Sequence, residues 1–164
     1  GTYNFPNIAS AISIGRFLDL DSDQIQIGLS KFQTEENRSE VLQYQGNTIY
    51  LDAYNANPTS MIAAIDNFNK EIKDNKIVIL GDMLELGNFS KDEHEKIIDL
   101  LHKMEVESVY LVGKNFSSIN ISDSRFKKFN DTEQLIRGLD LTKIKNKSIL
   151  IKGSRSIGLE KLIN

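Results

Sequence analysis

The sequence predicts an α/β fold: a mainly parallel sheet with helices on both faces, preceded by a short helical segment. Three observations predict it. Ile77-Val78-Ile79-Leu80, Val109-Tyr110-Leu111-Val112 and Ile149-Leu150-Ile151 are continuously apolar rather than alternating, as strands buried on both faces must be. Segments of helical periodicity alternate with them along the chain. Each central strand also ends in a polar or glycine-bearing signature: Asp52 to Asn57, Gly81-Asp82, Gly113-Lys114 and Gly153-Ser154-Arg155.

The elements follow in order. From 7 to 18, Ile8, Ala11, Ile12, Ile14, Phe17 and Leu18 recur at three- and four-residue steps, which predicts an amphipathic helix. Asp21 and Ser22 are caps for a second helix carrying Ile25, Ile27, Leu29 and Phe32. It ends in the polar stretch 33–37, a candidate boundary and hinge. Two helices cannot close a core, so residues 1–35 are expected to belong to something larger, and 36–164 to form the sheet domain. Strands at 41–44 and 48–53 flank Gly46-Asn47, a turn-forming pair, and predict a hairpin. Pro58 suits the first turn of a helix reaching 72, with Met61, Ile62, Ala64, Ile65 and Phe68 inward. Ser90 with Glu93 reads as a capping box ahead of a helix bearing Ile97, Ile98, Leu101 and Met104. A short strand at 125–129, a helix over 132–139 and a terminal helix over 157–163 complete the pattern.

Composition narrows the function. The 164 residues include 23 acidic and 20 basic side chains, and no lysine or arginine cluster marks one face, so a nucleic-acid partner is not expected. The absence of cysteine excludes thiolate catalysis, disulfides and thiolate metal sites. No apolar run approaches the ~20 residues that span a bilayer, and the start does not read as a signal peptide, so membrane insertion is not expected and the chain reads as cytoplasmic. No metal-ligand spacing appears.

In an open parallel sheet, ligands lie outside the carboxyl ends of the strands. Asp52, Tyr54, Asn55 and Asn57 crowd that end of one strand, where polar side chains are costly unless they bind something. Arg155 offers a planar two-pronged contact to a carboxylate or phosphate, and the first N–H groups of the helix predicted after Ser154 would favour an anion. The bland reading has Ser154 or Ser156 capping that helix, with Arg155 in solvent. Asp82 and Glu85, bracketed by Gly81 and Gly87, either receive an ammonium group, orient a neighbour, or are surface loop acids. His94 and His102 read as surface histidines, and Asp92, Glu93 and Glu95 as a solvated face. There is no glycine-rich phosphate loop ending in Gly-Lys-Ser/Thr, so nothing in the chain cradles a triphosphate alone.

The strings Tyr3-Asn4-Phe5-Pro6-Asn7-Ile8-Ala9, Arg38-Ser39-Glu40, DAYNANPTSM, GDMLELG and KGSRS, in that order, resemble the Mur ligase family across essentially the whole chain. YNANP and GDMLELG resemble the branch of that family that adds D-alanyl-D-alanine. The resemblance implies a Rossmann-like C-terminal ligase domain over 36–164, with 1–35 as the helical tail of a central ATPase domain. It implies ATP-dependent amide formation in peptidoglycan precursor synthesis: a peptide carboxylate is phosphorylated, and the amine of D-alanyl-D-alanine attacks the acyl phosphate of UDP-MurNAc-tripeptide. Matching positions put Asn4 and Asn7 near the adenine, Arg38 on the phosphates as the catalytic charge, and Asp52 on the ribose. Tyr54, Asn55, Asn57, Asp82, Ser154 and Arg155 would face the substrates. Mg2+ is implied, with its ligands, the phosphate loop and a modified lysine upstream of this chain, which alone is expected to be an inactive monomer. Two positions depart from the family pattern: Asn37 where glycine usually precedes the arginine, and Leu159 in place of a common methionine. Two rivals stand beside this reading. One is the corresponding domain of another Mur or folylpolyglutamate-type ligase, and the other a non-catalytic flavodoxin-like binding domain.

Overall fold

The computed structural model describes residues 5–31 and 40–163. Asn4, Arg38, Asn37 and the expected hinge over 33–37 lie outside them. The chain divides into two compact units, residues 1–34 and 35–164.

The first unit holds helices α1 (Phe5–Phe17) and α2 (Ser22–Lys31). Asp21 opens α2 with a reciprocal cap, its Oδ1 accepting from the Gln24 amide at 2.8 Å while the Gln24 side chain accepts from the Asp21 amide at 3.0 Å. The helices meet at Gly15, where an added Cβ would stand 2.9 Å from the Ile25 side chain. Gly15 is the only buried residue of α1, and α2 has none. Phe5, Ile14 and Phe17 are 60–86% exposed, so most of the apolar stripe read from the sequence has no cover among the described residues of this unit.

The second unit is a six-stranded sheet of β1 (Glu40–Tyr44), β2 (Asn47–Asp52), β3 (Lys76–Gly81), β4 (Ser108–Val112), β5 (Phe126–Phe129) and β6 (Ser148–Lys152), in spatial order β1-β2-β6-β3-β4-β5. Only β1 runs antiparallel, as a hairpin partner of β2; every other neighbouring pair is parallel. The helices are α3 (Pro58–Glu71), α4 (Ser90–His102), α5 (Lys114–Ser117) and α6 (Thr132–Gly138). Because strand side chains alternate between faces, each central strand feeds two cores. Val78, Leu80, Val109, Leu111 and Leu150 pack under Met61, Ile65 and Phe68 of α3 and Ile97, Ile98 and Leu101 of α4. Ile77, Ile79, Tyr110, Val112, Ile149 and Ile151 face the other way, onto Leu135 of α6 and Leu159 and Leu162 near the end of the chain. Leu159 thus stands in the second core, 1% exposed.

Local chemistry moves several expected boundaries. The hairpin turn is Gln45-Gly46, both at positive φ (52° and 80°), one residue earlier than Gly46-Asn47. Asn47 is instead the first residue of β2, donating to the Ile144 carbonyl at 2.7 Å and accepting from the Lys147 amide at 3.1 Å. Ser90 does not cap α4, because a 3-10 turn over Gly87–Phe89 runs straight into the helix and gives Ser90 helical dihedrals. Glu93 takes the Lys96 ammonium instead. Ile62 lies on the outer side of α3, 38% exposed. The expected terminal helix is two 3-10 turns, Arg155–Ile157 and Leu159–Leu162, separated by Gly158 in the left-handed region (φ 72°). The N-terminal anion site expected after Ser154 therefore has no helix to supply it.

Candidate functional site

The register puts the strand tips in one row. Asp52 of β2 lies beside Lys152 of β6, Lys152 beside Leu80 of β3, and Gly81 beside Val112 of β4. Beyond those tips the chain diverges. β2 and β3 continue into α3 and α4, which cover one face, whereas β6 continues into turns that place Leu159 and Leu162 on the other. A crevice opens where neighbouring strands send their connections to opposite faces, so β6 is flanked by two such switch points.

On the β2 side, Lys152 reaches across the rim. Its Nζ donates to Asp52 Oδ2 at 2.5 Å and to the Asn55 carbonyl at 3.0 Å. Lys152 is 1% exposed, while the Asp52 side chain keeps 22% of its surface open. Above this pair the Arg155 guanidinium lies over the Tyr54 ring, 5.0 Å from its centroid, a cation–π contact between the two loops. Asn55 is exposed and its Oδ1 accepts from the following amide of Ala56 at 2.9 Å. Asn57 caps α3, accepting from the Ser60 amide at 2.8 Å while the Ser60 hydroxyl accepts from the Asn57 amide. Asn57 is thus committed to the helix it starts, with the Pro58 ring behind it.

On the β3 side, the glycines of two motifs touch: an added Cβ on Gly153 would come within 3.0 Å of the Gly81 Cα. Only residues without a Cβ let β3 and β6 end this close. Asp82 then turns inward, 3% exposed, and caps α5, its Oδ2 accepting from the Asn115 amide at 2.8 Å and Oδ1 from the Phe116 amide at 3.0 Å. Gly113 makes room for that carboxylate, at φ 126° with no space for a side chain. Of the roles weighed for Asp82, the geometry matches orienting a neighbour, not a carboxylate open to solvent. Glu85 is exposed at φ 64°.

His94 corrects a sequence expectation. It is fully buried, not on the surface, with its ring edge-on to Phe116 at 4.5 Å. Its Nδ1 lies 2.6 Å from the Ser90 carbonyl, an acceptor, and its Nε2 accepts from the Met83 amide at 3.1 Å. That pattern assigns the neutral tautomer with the proton on Nδ1, so the 3.6 Å approach of Nε2 to Asp82 is not an ion pair. The knot continues into the rim: the Leu84 amide donates to Ser154 Oγ at 3.2 Å and the Ser154 amide to the Asp82 carbonyl at 3.3 Å. Ser154 is therefore buried and fixes the 82–84 loop to the end of β6, with Arg155 exposed beside it.

The structure thus gathers Asp52, Tyr54, Asn55, Ser154 and Arg155 along one rim, with Asp82 beneath it. Asn7 is exposed on α1, in the first unit. Lys152 and His94 had no place in the site read from the sequence. Among the described residues no group of three or more His, Cys, Asp or Glu could hold a metal ion, and no helix is long and apolar enough to cross a membrane.

Comparison with known proteins adds three findings. The family model described as Mur ligase, glutamate ligase domain, matches residues 37–155. The UDP-N-acetylmuramoyl-tripeptide--D-alanyl-D-alanine ligase of Buchnera aphidicola subsp. Baizongia pistaciae is 32% identical over 99% of this chain. The match covers 36% of that relative, so the chain spans about a third of its length. Among solved structures, the UDP-N-acetylmuramoylalanyl-D-glutamyl-2,6-diaminopimelate--D-alanyl-D-alanyl ligase from Acinetobacter baumannii superposes with a TM-score of 0.85 at 28% identity, over 99% of this chain and 36% of that one. The MurF ligase from Thermotoga maritima, solved in complex with ADP, gives 0.77 at 26% identity, over 95% and 36%.

Proposed function

Because this chain belongs to the Mur ligase family, we infer that it is the C-terminal part of a longer ATP-dependent ligase that joins D-alanyl-D-alanine to UDP-MurNAc-tripeptide in the cytoplasm. In this reading residues 1–35 are the tail of the central ATPase domain and 36–164 the C-terminal ligase domain. The observation that carries it is the rim itself, where Asp52, Tyr54, Ser154 and Arg155 meet at a switch point of a parallel sheet.

In this reading Asp52, a part-exposed carboxylate, accepts from the ribose hydroxyls. Asn7, whose exposed amide carries both a donor and an acceptor, is assigned to the purine edge. We assign Asn4 to the same edge and Arg38 to the phosphates, where a guanidinium offsets charge as it develops in phosphoryl transfer. ATP supplies activation of the peptide carboxylate as an acyl phosphate, and the amine of the dipeptide displaces the phosphate to form the amide. On this side of the site Arg155, braced on Tyr54, is the cation that a substrate carboxylate would meet, and Asn55 follows Tyr54 in the same loop. Ser154, Asp82 and Asn57 hold the loops that present them. Mg2+ would be bound by residues upstream of this chain, with the phosphate loop. The monomer is the working state in this proposal.

The test is ATP-dependent phosphate release. With UDP-MurNAc-tripeptide present, the full-length ligase should release phosphate with D-alanyl-D-alanine and not with glutamate or a single amino acid, and the 164-residue chain alone should release none. Turnover with glutamate in place of the dipeptide would assign the chain to another branch of the family.

A further inference from the structure

Lys152 is the most deeply buried charged side chain among the described residues, and the chemistry proposed above does not use it. An ammonium is withdrawn from water only at high cost unless it is paired and hydrogen-bonded, and here two of its three N–H groups are spent at the rim, on Asp52 Oδ2 and the Asn55 carbonyl. The pair is lopsided. The cation is sealed behind the strands while the carboxylate stays partly open, and among the described residues Asp52 Oδ1 accepts no hydrogen bond. A bare carboxylate at this position would repel a polyphosphate ligand. With an ammonium 2.5 Å behind it, it offers an acceptor oxygen at little net charge. The second bond, to Asn55, ties down the same loop that carries Tyr54 beneath Arg155.

We infer that Lys152 is a positioning residue for the nucleotide: it turns Asp52 Oδ1 toward the ligand and cancels its charge, so that a carboxylate can read sugar hydroxyls next to phosphates. This rests on the assignment of Asp52 to the ribose, and the experiment separates the two. In the full-length ligase, KM is measured for ATP and for 2′,3′-dideoxy-ATP. The wild type should prefer ATP by about tenfold or more. Lys152→Met should raise KM for ATP about tenfold and shrink the hydroxyl preference to about twofold, with kcat changed less than KM. Asp52→Asn/Lys152→Met, which removes both charges, should recover most of the lost ATP affinity. A wild type indifferent to the missing hydroxyls removes Asp52 from the ribose and the inference with it. A wild-type preference that survives in Lys152→Met, or a double variant no better than the single, overturns the role of Lys152 alone. If Lys152→Met does not fold, Lys152→Gln, which drops the charge and keeps a donor, is read by the same criteria.

Discussion

Gly113 shows how tightly single residues are specified around the β3 tip. It sits at φ 126°, and a Cβ there would lie 2.2 Å from the Asp82 carboxyl carbon. Gly113→Ala must therefore both strain the backbone and expel the carboxylate that caps α5, and should cost at least about 2 kcal/mol in urea denaturation. An unchanged midpoint would show that Asp82 has another place to go. The shared rim of Asp52, Tyr54 and Arg155 was legible in the sequence because each follows the end of an apolar strand, and in a parallel sheet those ends lie on one edge. His94 was not, although a signal existed: it precedes Ile97, Ile98 and Leu101 at helical spacing, on the buried stripe of α4. Its polarity outweighed its position, yet Ser90 and Met83 satisfy both ring nitrogens inside the core. Lys152 was hidden for a different reason. Its partner stands 100 residues away, and only the insertion of β6 beside β2 brings them together.

At the scale of elements, continuous apolar runs made the central strands readable, while short turns escaped. Gln45 occupies a positive-φ position that asparagine tolerates better, ahead of Gly46 in a two-residue hairpin turn. Gln45→Asn should stabilise the chain by about 0.5 kcal/mol in thermal or urea unfolding, with the sheet otherwise unaltered. α5, only four residues long, has too little sequence to show a period, and its cap comes from Asp82, just past the end of β3. The C-terminal end of α4 is tied by Arg125, which donates to the Met104 carbonyl at 2.7 Å and holds Asp123 beside it at 2.6 Å. Hydrogen bonds from Arg125, first of all through its side chain, push the Asp123 carboxyl well below the ordinary carboxylate range. A depressed native value means stability that is fully present above the unfolded value, about 3.9, and lost as pH falls toward the native one. The stability gap between wild type and Asp123→Asn, measured by urea denaturation, should therefore close as pH falls below about 4, with added salt shrinking it. A gap that persists undiminished in strong acid would contradict this origin.

For the whole molecule, every fully buried residue of the two cores lies between Ile49 and Leu162. The sheet unit holds both cores by itself, so a chain beginning at residue 35 is expected to unfold in one cooperative transition, measured by urea denaturation followed by circular dichroism. Loss of cooperative unfolding would show that the helices complete the core. Within the first unit, Phe5, Ile14 and Phe17 form an apolar stripe that no described residue of that unit covers.

Strand order also has a temporal side. β6 follows β1 to β5 in the chain yet occupies the middle of the sheet, between β2 and β3. While the polypeptide is still emerging from the ribosome, β2 and β3 wait with bare edges facing an empty slot, open to pairing with neighbouring nascent chains. Closure comes only when the Ser148–Lys152 segment threads home, and the same event joins the two halves of the rim. A ribosome stalled before that segment would leave an aggregation-prone intermediate rather than a smaller, partly working domain.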